Sequence, residues 1–275
     1  MNEIIVTIAG KPAHAFVGGH GEPLLLSHGG WGGAAMHWSP VWDRLAERFR
    51  VIAPDMPGIG RTRQAALGSV GAYAQWVQAL AEALGARSAW LVGNSFGASV
   101  ACRMASDHPE RCRGLVLVNG IPMPETPRFM RWLGERKLGR RALWWLEKKI
   151  VYSPAALKRA FVDPARAPAE LREVLAAKAP PQVDAFVDIL VNGDSHRRPS
   201  VAPLLLCGED DRLPGTTSRA VRRLHASWPG SKLVFVPGAG HLPQVENPTA
   251  FVAALASFLT SSPLAGDALS AGSAS

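Results

Sequence analysis

Long apolar runs, cysteine and repeats are what this chain has least of. No apolar stretch in its 275 residues is long enough to cross a bilayer, so no transmembrane segment is expected. The opening residues, Met1 to Gly10, carry an early acid in Glu3, no basic leader and only a short apolar run. They read as a strand and not as a signal peptide. Cysteine occurs three times, at Cys102, Cys112 and Cys207, each in or beside an expected core segment. An odd number leaves no complete disulfide set, and a reducing, cytoplasmic compartment is the simplest expectation. Acidic residues are outnumbered, 22 against 30 Lys and Arg, giving a net charge of +8. Residues 121–199 hold most of that excess, with 15 Lys and Arg against 9 Asp and Glu. No recognised nucleic-acid-binding motif accompanies the charge, so nucleic acid is not an expected partner.

What is present is a core-forming composition, 47% hydrophobic. A chain of this length buries roughly three-quarters of its unfolded surface, which suits one α/β domain carrying an insertion. Short apolar runs alternate with amphipathic stretches, the pattern of a parallel sheet flanked by helices. Runs at 3–8 and 13–17 form a hairpin around Gly10-Lys11. Further strands are expected at 24–27, 51–54, 89–92, 114–118, 203–207 and 232–236, with helices at about 40–48, 70–85, 98–105, 215–227 and 248–259. Between 121 and 199 the strand pattern vanishes, and prolines such as Pro127, Pro154, Pro168 and Pro181 punctuate short helices. The expected organisation is therefore a core from 1–120 and 200–260, a helical cap or lid from 121–199 and a flexible tail from 261–275.

One motif concentrates the chemistry. Gly93-Asn94-Ser95-Phe96-Gly97 follows the apolar run 89–92 and opens a helix-like stretch. Strand, G-x-S-x-G, helix is the layout of a sharp turn that presents a serine hydroxyl at the end of a parallel strand. An activated serine needs an imidazole to take and return its proton, a carboxylate to orient that imidazole, and N–H donors for the developing oxyanion. His241 sits directly after the strand at 232–236 and is the expected base and acid. The loop Gly208-Glu209-Asp210-Asp211 follows the strand at 203–207; Asp211 is the preferred carboxylate and Asp210 the alternative. The order Ser, Asp, His along the chain fits that arrangement. Phe96, just after the serine, supplies one backbone donor. The glycine-rich run His28-Gly29-Gly30-Trp31-Gly32-Gly33 supplies the other, with Gly30 preferred over Trp31. His28 shapes that loop, while His14, His20, His37, His108, His196 and His225 are expected to be structural or exposed.

The segments HGGWGG, PDMPGIGRT, GNSFGAS, GEDDRLP and GAGHLPQVENP together resemble an α/β-hydrolase of the capped type, a group that includes esterases, lactonases, thioesterases and carbon–carbon bond hydrolases. They span residue 23 to about 259, with only the cap lacking recognisable motifs. The resemblance implies an α/β fold with a mostly parallel eight-stranded sheet, helices on both faces and an inserted cap. It also implies a serine esterase acting through an acyl-enzyme on a small or medium ester, without metal or organic cofactor. A serine at the turn argues against the dehalogenases and epoxide hydrolases of this fold, which use aspartate there. Carbon–carbon hydrolases of the meta-cleavage type carry a tryptophan after the catalytic histidine and an arginine in the cap. Here Leu242 follows His241, and no cap arginine aligns with that role. Ester hydrolysis is thus preferred, with carbon–carbon cleavage or carrier-linked thioester cleavage as alternatives and a lyase, isomerase or ligand receptor further behind.

The cap mixes bulky apolar and basic residues at helical spacing. Trp31, Trp132, Trp144, Phe161 and Leu242 are the expected lining of an apolar substrate pocket. The basic face suits an anionic substrate, the acidic surface of an acyl carrier protein, or a membrane surface.

Overall fold

Each apolar run singled out above matches a strand to within a few residues in the computed structural model, which describes residues 1–123, 126–193 and 198–261. The strands are β1 (Asn2–Ile8), β2 (Lys11–Gly18), β3 (Glu22–Ser27), β4 (Phe49–Pro54), β5 (Ala89–Asn94), β6 (Cys112–Val118), β7 (Leu204–Gly208) and β8 (Lys232–Val236). They form one sheet in the order β1-β2-β4-β3-β5-β6-β7-β8. A two-residue turn joins β1 to β2, and Ala9 and Gly10 both take the positive φ such a turn requires, 48° and 76°. β2 is antiparallel to β1 and β4; every other neighbouring pair is parallel.

The helices among the described residues are α1 (Ala34–Ala46), α2 (Val70–Ala83), α3 (Phe96–Asp107), α4 (Arg128–Gly134), α5 (Lys137–Ile150), α6 (Pro154–Ala160), α7 (Ala169–Ala176), α8 (Pro181–Asn192), α9 (Ser218–Ala226), α10 (Pro243–Glu246) and α11 (Pro248–Ser261). Side chains along a strand alternate between faces, and here both faces are buried. Leu25, Leu91, Leu115 and Leu205 pack with Tyr73 and Leu80 of α2 and Val100 and Met104 of α3. Their neighbours Leu24, Trp90, Val116 and Leu204 pack on the other side with Trp38 and Val41 of α1 and Phe251 and Leu255 of α11. Cys102, Cys112 and Cys207 lie in the first of these clusters, buried and unbridged. Burial pushes each of their thiols up to about 12.

Between β6 and β7 the described residues contain α4 to α8 and no strand. A third apolar cluster joins these helices to the sheet's end loops, with Leu143, Tyr152, Leu171 and Val187 meeting Trp31, Leu213 and Leu242. Apart from Ser261, the last residue of α11, the tail expected over 261–275 lies outside the described residues, as does His196.

One helix boundary differs clearly from the sequence expectation. α1 begins at Ala34 and carries Pro40 inside it, whereas the pattern favours a start near residue 40. The reason is a partner remote in sequence. Gly33, at the N-cap, has no side chain to cap with, and Asp55 from the loop after β4 accepts the Ala34 N–H at 2.6 Å. The other Asp55 oxygen meets His14 Nδ1 at 2.6 Å, and His14 Nε2 meets Glu3 at 2.6 Å. His14 is thus a buried tie between β1, β2, β4 and α1. Replacing Asp55 by Ala removes a cap and strands a buried imidazole. It should lower unfolding stability by about 2–4 kcal/mol, read from the shift of the urea midpoint.

Candidate active site

The turn between β5 and α3 is tight. Ser95 sits there at φ 52° and ψ −115°, a region that costs energy for any residue with a Cβ. The turn closes only because its neighbours lack side chains. A Cβ on Gly93 would collide with the Gly97 carbonyl, and one on Gly97 with the carbonyl of Ser27 on β3. The Ser95 N–H is held by the Val118 carbonyl at 2.9 Å. α3 begins at Phe96, whose amide, in the first turn of the helix, has no intrahelical acceptor.

Two further side chains come from the ends of β7 and β8. Asp211 and His241 are both almost fully buried, 3% and 4% exposed. The His241 Nδ1–H donates to Asp211 Oδ2 at 2.7 Å. A carboxylate only accepts, so this bond fixes the proton on Nδ1 and leaves the Nε2 lone pair for other chemistry. The carboxylate is itself oriented. Its Oδ1 accepts from the Leu213 amide at 2.9 Å, and its Oδ2 also accepts from Asn119 Nδ2 at 2.8 Å. Asn119 completes the link by accepting the Gly208 N–H at 2.7 Å. Asp210 instead uses its backbone N–H, which donates to Ala239, and has no bond to His241.

Ser95 and His241 line one cavity of ≈ 160 Å³ together with Gly30, Trp31, His37 and Tyr152. No direct hydrogen bond joins the serine hydroxyl to the imidazole. Such bonds are commonly loose until substrate is bound. A second chamber of ≈ 270 Å³ also borders Ser95 and is lined by Phe96, Ile121, Met123, Val151 and Glu147. The Glu147 carbonyl accepts from the Val151 and Tyr152 amides, but its carboxyl group has no hydrogen-bond or ion-pair partner among the described residues. Burial raises its carboxyl to about 7.

The inserted segment fastens this site. Tyr152 donates its hydroxyl to the Gly30 carbonyl at 3.0 Å, and Trp31 Nε1 donates to Val151 at 3.1 Å. The His241 amide donates to Ala160 at 2.6 Å, and the Trp31 ring meets the His241 ring edge-on at 5.2 Å. His28 braces the loop from behind, donating from Nδ1 to Gly29 and accepting the Met56 amide at Nε2. Burial lowers the pKa of His28, and that of His37 to about 3, so both rings are neutral near pH 7.

Of the five residues expected to line the pocket, only Trp31 does so. Trp132 is 55% exposed and lies under the Arg136 guanidinium at 3.5 Å. Trp144 packs edge-on against Trp145, while Phe161 and Leu242 are buried inside the third cluster. The lining comes instead from Ile150, Val151, Tyr152 and Phe186, together with His37. The amphipathic pattern of α5 gave a faint signal, since Leu143, Glu147 and Ile150 share its inward face at helical spacing.

An open, mostly parallel sheet with a strained serine turn and a carboxylate-bound histidine at its strand ends defines the α/β-hydrolase class of fold. Residues 24–255 match the alpha/beta hydrolase family, and the chain belongs to it. It is 31% identical over 242 residues to a pimeloyl-[acyl-carrier protein] methyl ester esterase of Yersinia enterocolitica, covering 83% of this chain and 89% of that one. It is 30% identical over 279 residues to a 2-hydroxymuconate semialdehyde hydrolase of Pseudomonas sp. (strain CF600), covering 92% of each. Among solved structures, a thermophilic esterase from Thermogutta terrifontis shares the fold with a TM-score of 0.73 and 23% identity, over 94% of this chain and 98% of that one. Among the described residues no group of three or more His, Cys, Asp and Glu is placed to hold a metal ion. No described helix is long and apolar enough to cross a membrane.

Two outcomes follow from this geometry. Asp211→Asn should cut kcat by about 10⁴-fold, because the amide favours the wrong imidazole tautomer, while Asp210→Asn should change it less than about threefold; steady-state kinetics of the two variants check this. Glu147 is neutral below pH 7 and charged above it. KM for an apolar substrate should therefore rise several-fold between pH 6 and pH 8, and stay level in Glu147→Gln, when profiles of the two proteins are compared.

Proposed function

We propose that this hydrolase cleaves a small or medium carboxylic ester through an acyl-enzyme. Ser95 Oγ attacks the ester carbonyl and its proton passes to His241 Nε2. The negative charge that develops on the carbonyl oxygen is held by the backbone N–H groups of Phe96 and Gly30, aided by the positive end of α3. As the tetrahedral intermediate collapses, Nε2 returns the proton to the leaving alcohol. Water then attacks the acyl-serine with His241 again as base, regenerating the free serine. Asp211 orients the imidazole and stabilises its protonated form. The helices of residues 121–199 act as a cap, with Tyr152 and Phe186 closing the chamber over the serine.

One observation carries this reading: Asp211 is bonded to His241 Nδ1, and His241 shares a cavity with a serine held in a strained turn. The relatives at about 30% identity include both an ester hydrolase and a carbon–carbon hydrolase, so the choice between these reactions rests on the chain's own residues. No arginine lines either chamber among the described residues, and Leu242 follows His241, which favours an ester over a dienoate. Three buried, unbridged cysteines suit a cytosolic protein.

Ser95→Ala should lower turnover of p-nitrophenyl butyrate by about 10⁶-fold and abolish labelling by a fluorophosphonate. Labelling that survives the substitution overturns the assignment of the nucleophile. A vinylogous diketone turned over much faster than the aryl ester would instead favour carbon–carbon cleavage.

A further inference from the structure

The outer side of α4 and α5 departs from the rest of the surface. Eight large apolar side chains are left exposed among the described residues, and five of them stand here: Phe129, Trp132, Leu138, Trp145 and Leu146. Residues 128–150 also carry eight Lys and Arg against two Glu. Arg128, Lys137, Arg141 and Lys149 make no ion pair among the described residues. Arg140 is paired with Asp188, and Arg136 lies over the Trp132 ring. The two kinds of side chain are interleaved. Along one line of α5 the order is Leu138, Arg141, Trp145, Lys149, at the spacing that puts every member on the same face. A hollow of ≈ 570 Å³ lies along α4, bordered by Arg128, Phe129, Arg131, Trp132 and Glu135.

That interleaving discriminates between occupants. Protein interfaces gather apolar residues at a centre depleted of Lys. A lipid headgroup layer favours the opposite mixture, in which Trp and Leu enter the acyl boundary while long basic side chains reach back to the phosphates. We propose that the outer face of α4 and α5 docks the protein on an anionic lipid surface. Negative lipid complements the local excess of positive charge, each nearby Lys or Arg adding to the attraction. The opposite face of α5 lines the chamber beside Ser95 through Glu147. Docking would therefore hold that chamber close to esters dissolved in the bilayer.

Co-sedimentation of the full chain with phosphatidylcholine vesicles, with and without phosphatidylglycerol, tests this. Binding should be at least about 10-fold stronger on the anionic vesicles and should weaken as salt is raised. The pair Leu138→Ser and Trp145→Ser should reduce it by about 10-fold, and so should Arg141→Glu with Lys149→Glu. Ile5→Ser, at an exposed apolar residue outside the patch, should leave it unchanged. Turnover of a short soluble ester should persist in every variant, which shows that they fold. Failure of ester turnover in the parent protein would count against the proposed reaction and leave the vesicle result standing. Equal binding to neutral vesicles, no binding at all, or binding that the paired substitutions leave intact overturns the proposal. So does a dimer, seen by light scattering, that Leu138→Ser with Trp145→Ser splits, or capture of a purified acidic carrier protein without vesicle binding.

Discussion

Ser95 is held at φ 52° and ψ −115° by a turn that tolerates no side chain on either flanking glycine, and this constraint organises the molecule around it. Gly97 must lie against the Ser27 carbonyl, so α3 packs directly onto the end of β3. The glycine-rich loop after β3 is thereby brought beside the serine. The same turn is anchored from β6 through the Ser95 N–H and the Val118 carbonyl. Strain of this kind persists only where the surroundings over-determine it. Here the surroundings are the central parallel strands, buried on both faces.

The histidine depends on a different support. Its ring is oriented by Asp211, and Asp211 by Asn119 at the end of β6, so three consecutive strands, β6 to β8, converge on one imidazole. Its backbone is held by Ala160, in a segment far from the sheet in sequence. Tyr152 and Val151, from the same stretch, fix the Gly30 carbonyl and the Trp31 indole. The inserted helices are therefore joined to the end of the sheet that carries Ser95 and His241 by polar bonds as well as by the third apolar cluster. A shift of this segment would be felt at His241, Gly30 and Trp31 together.

Much of this was legible in the chain itself. Parallel strands buried on both sides read as continuous apolar runs, and β3 to β7 stood out for that reason, while β1 and β2 were legible as two short runs around the Gly10-Lys11 turn. The serine turn was legible from its glycines, and the histidine and acid from their places just after strands. The inserted helices were harder to read because helical spacing marks a face without saying which way it points. Trp132 and Trp144 share the composition of a pocket lining, yet one faces solvent and the other packs against Trp145. Phe161 and Leu242 were invisible for another reason, since only tertiary packing separates a core side chain from a lining one. The start of α1 was hidden because its cap, Asp55, lies 21 residues from Ala34. Nothing in the local sequence marks Asn119, because the carboxylate that it holds lies in the loop after β7, 92 residues away.

The three buried thiols have a practical corollary. With pKa values pushed up to about 12, Cys102, Cys112 and Cys207 hold almost no thiolate at neutral pH and stand away from solvent. Soft electrophiles that report on sulfur should pass this protein by while it stays folded. Covalent warheads aimed at a hydroxyl would then find a chemically quiet background, and thiol modification would serve as a sensor of unfolding.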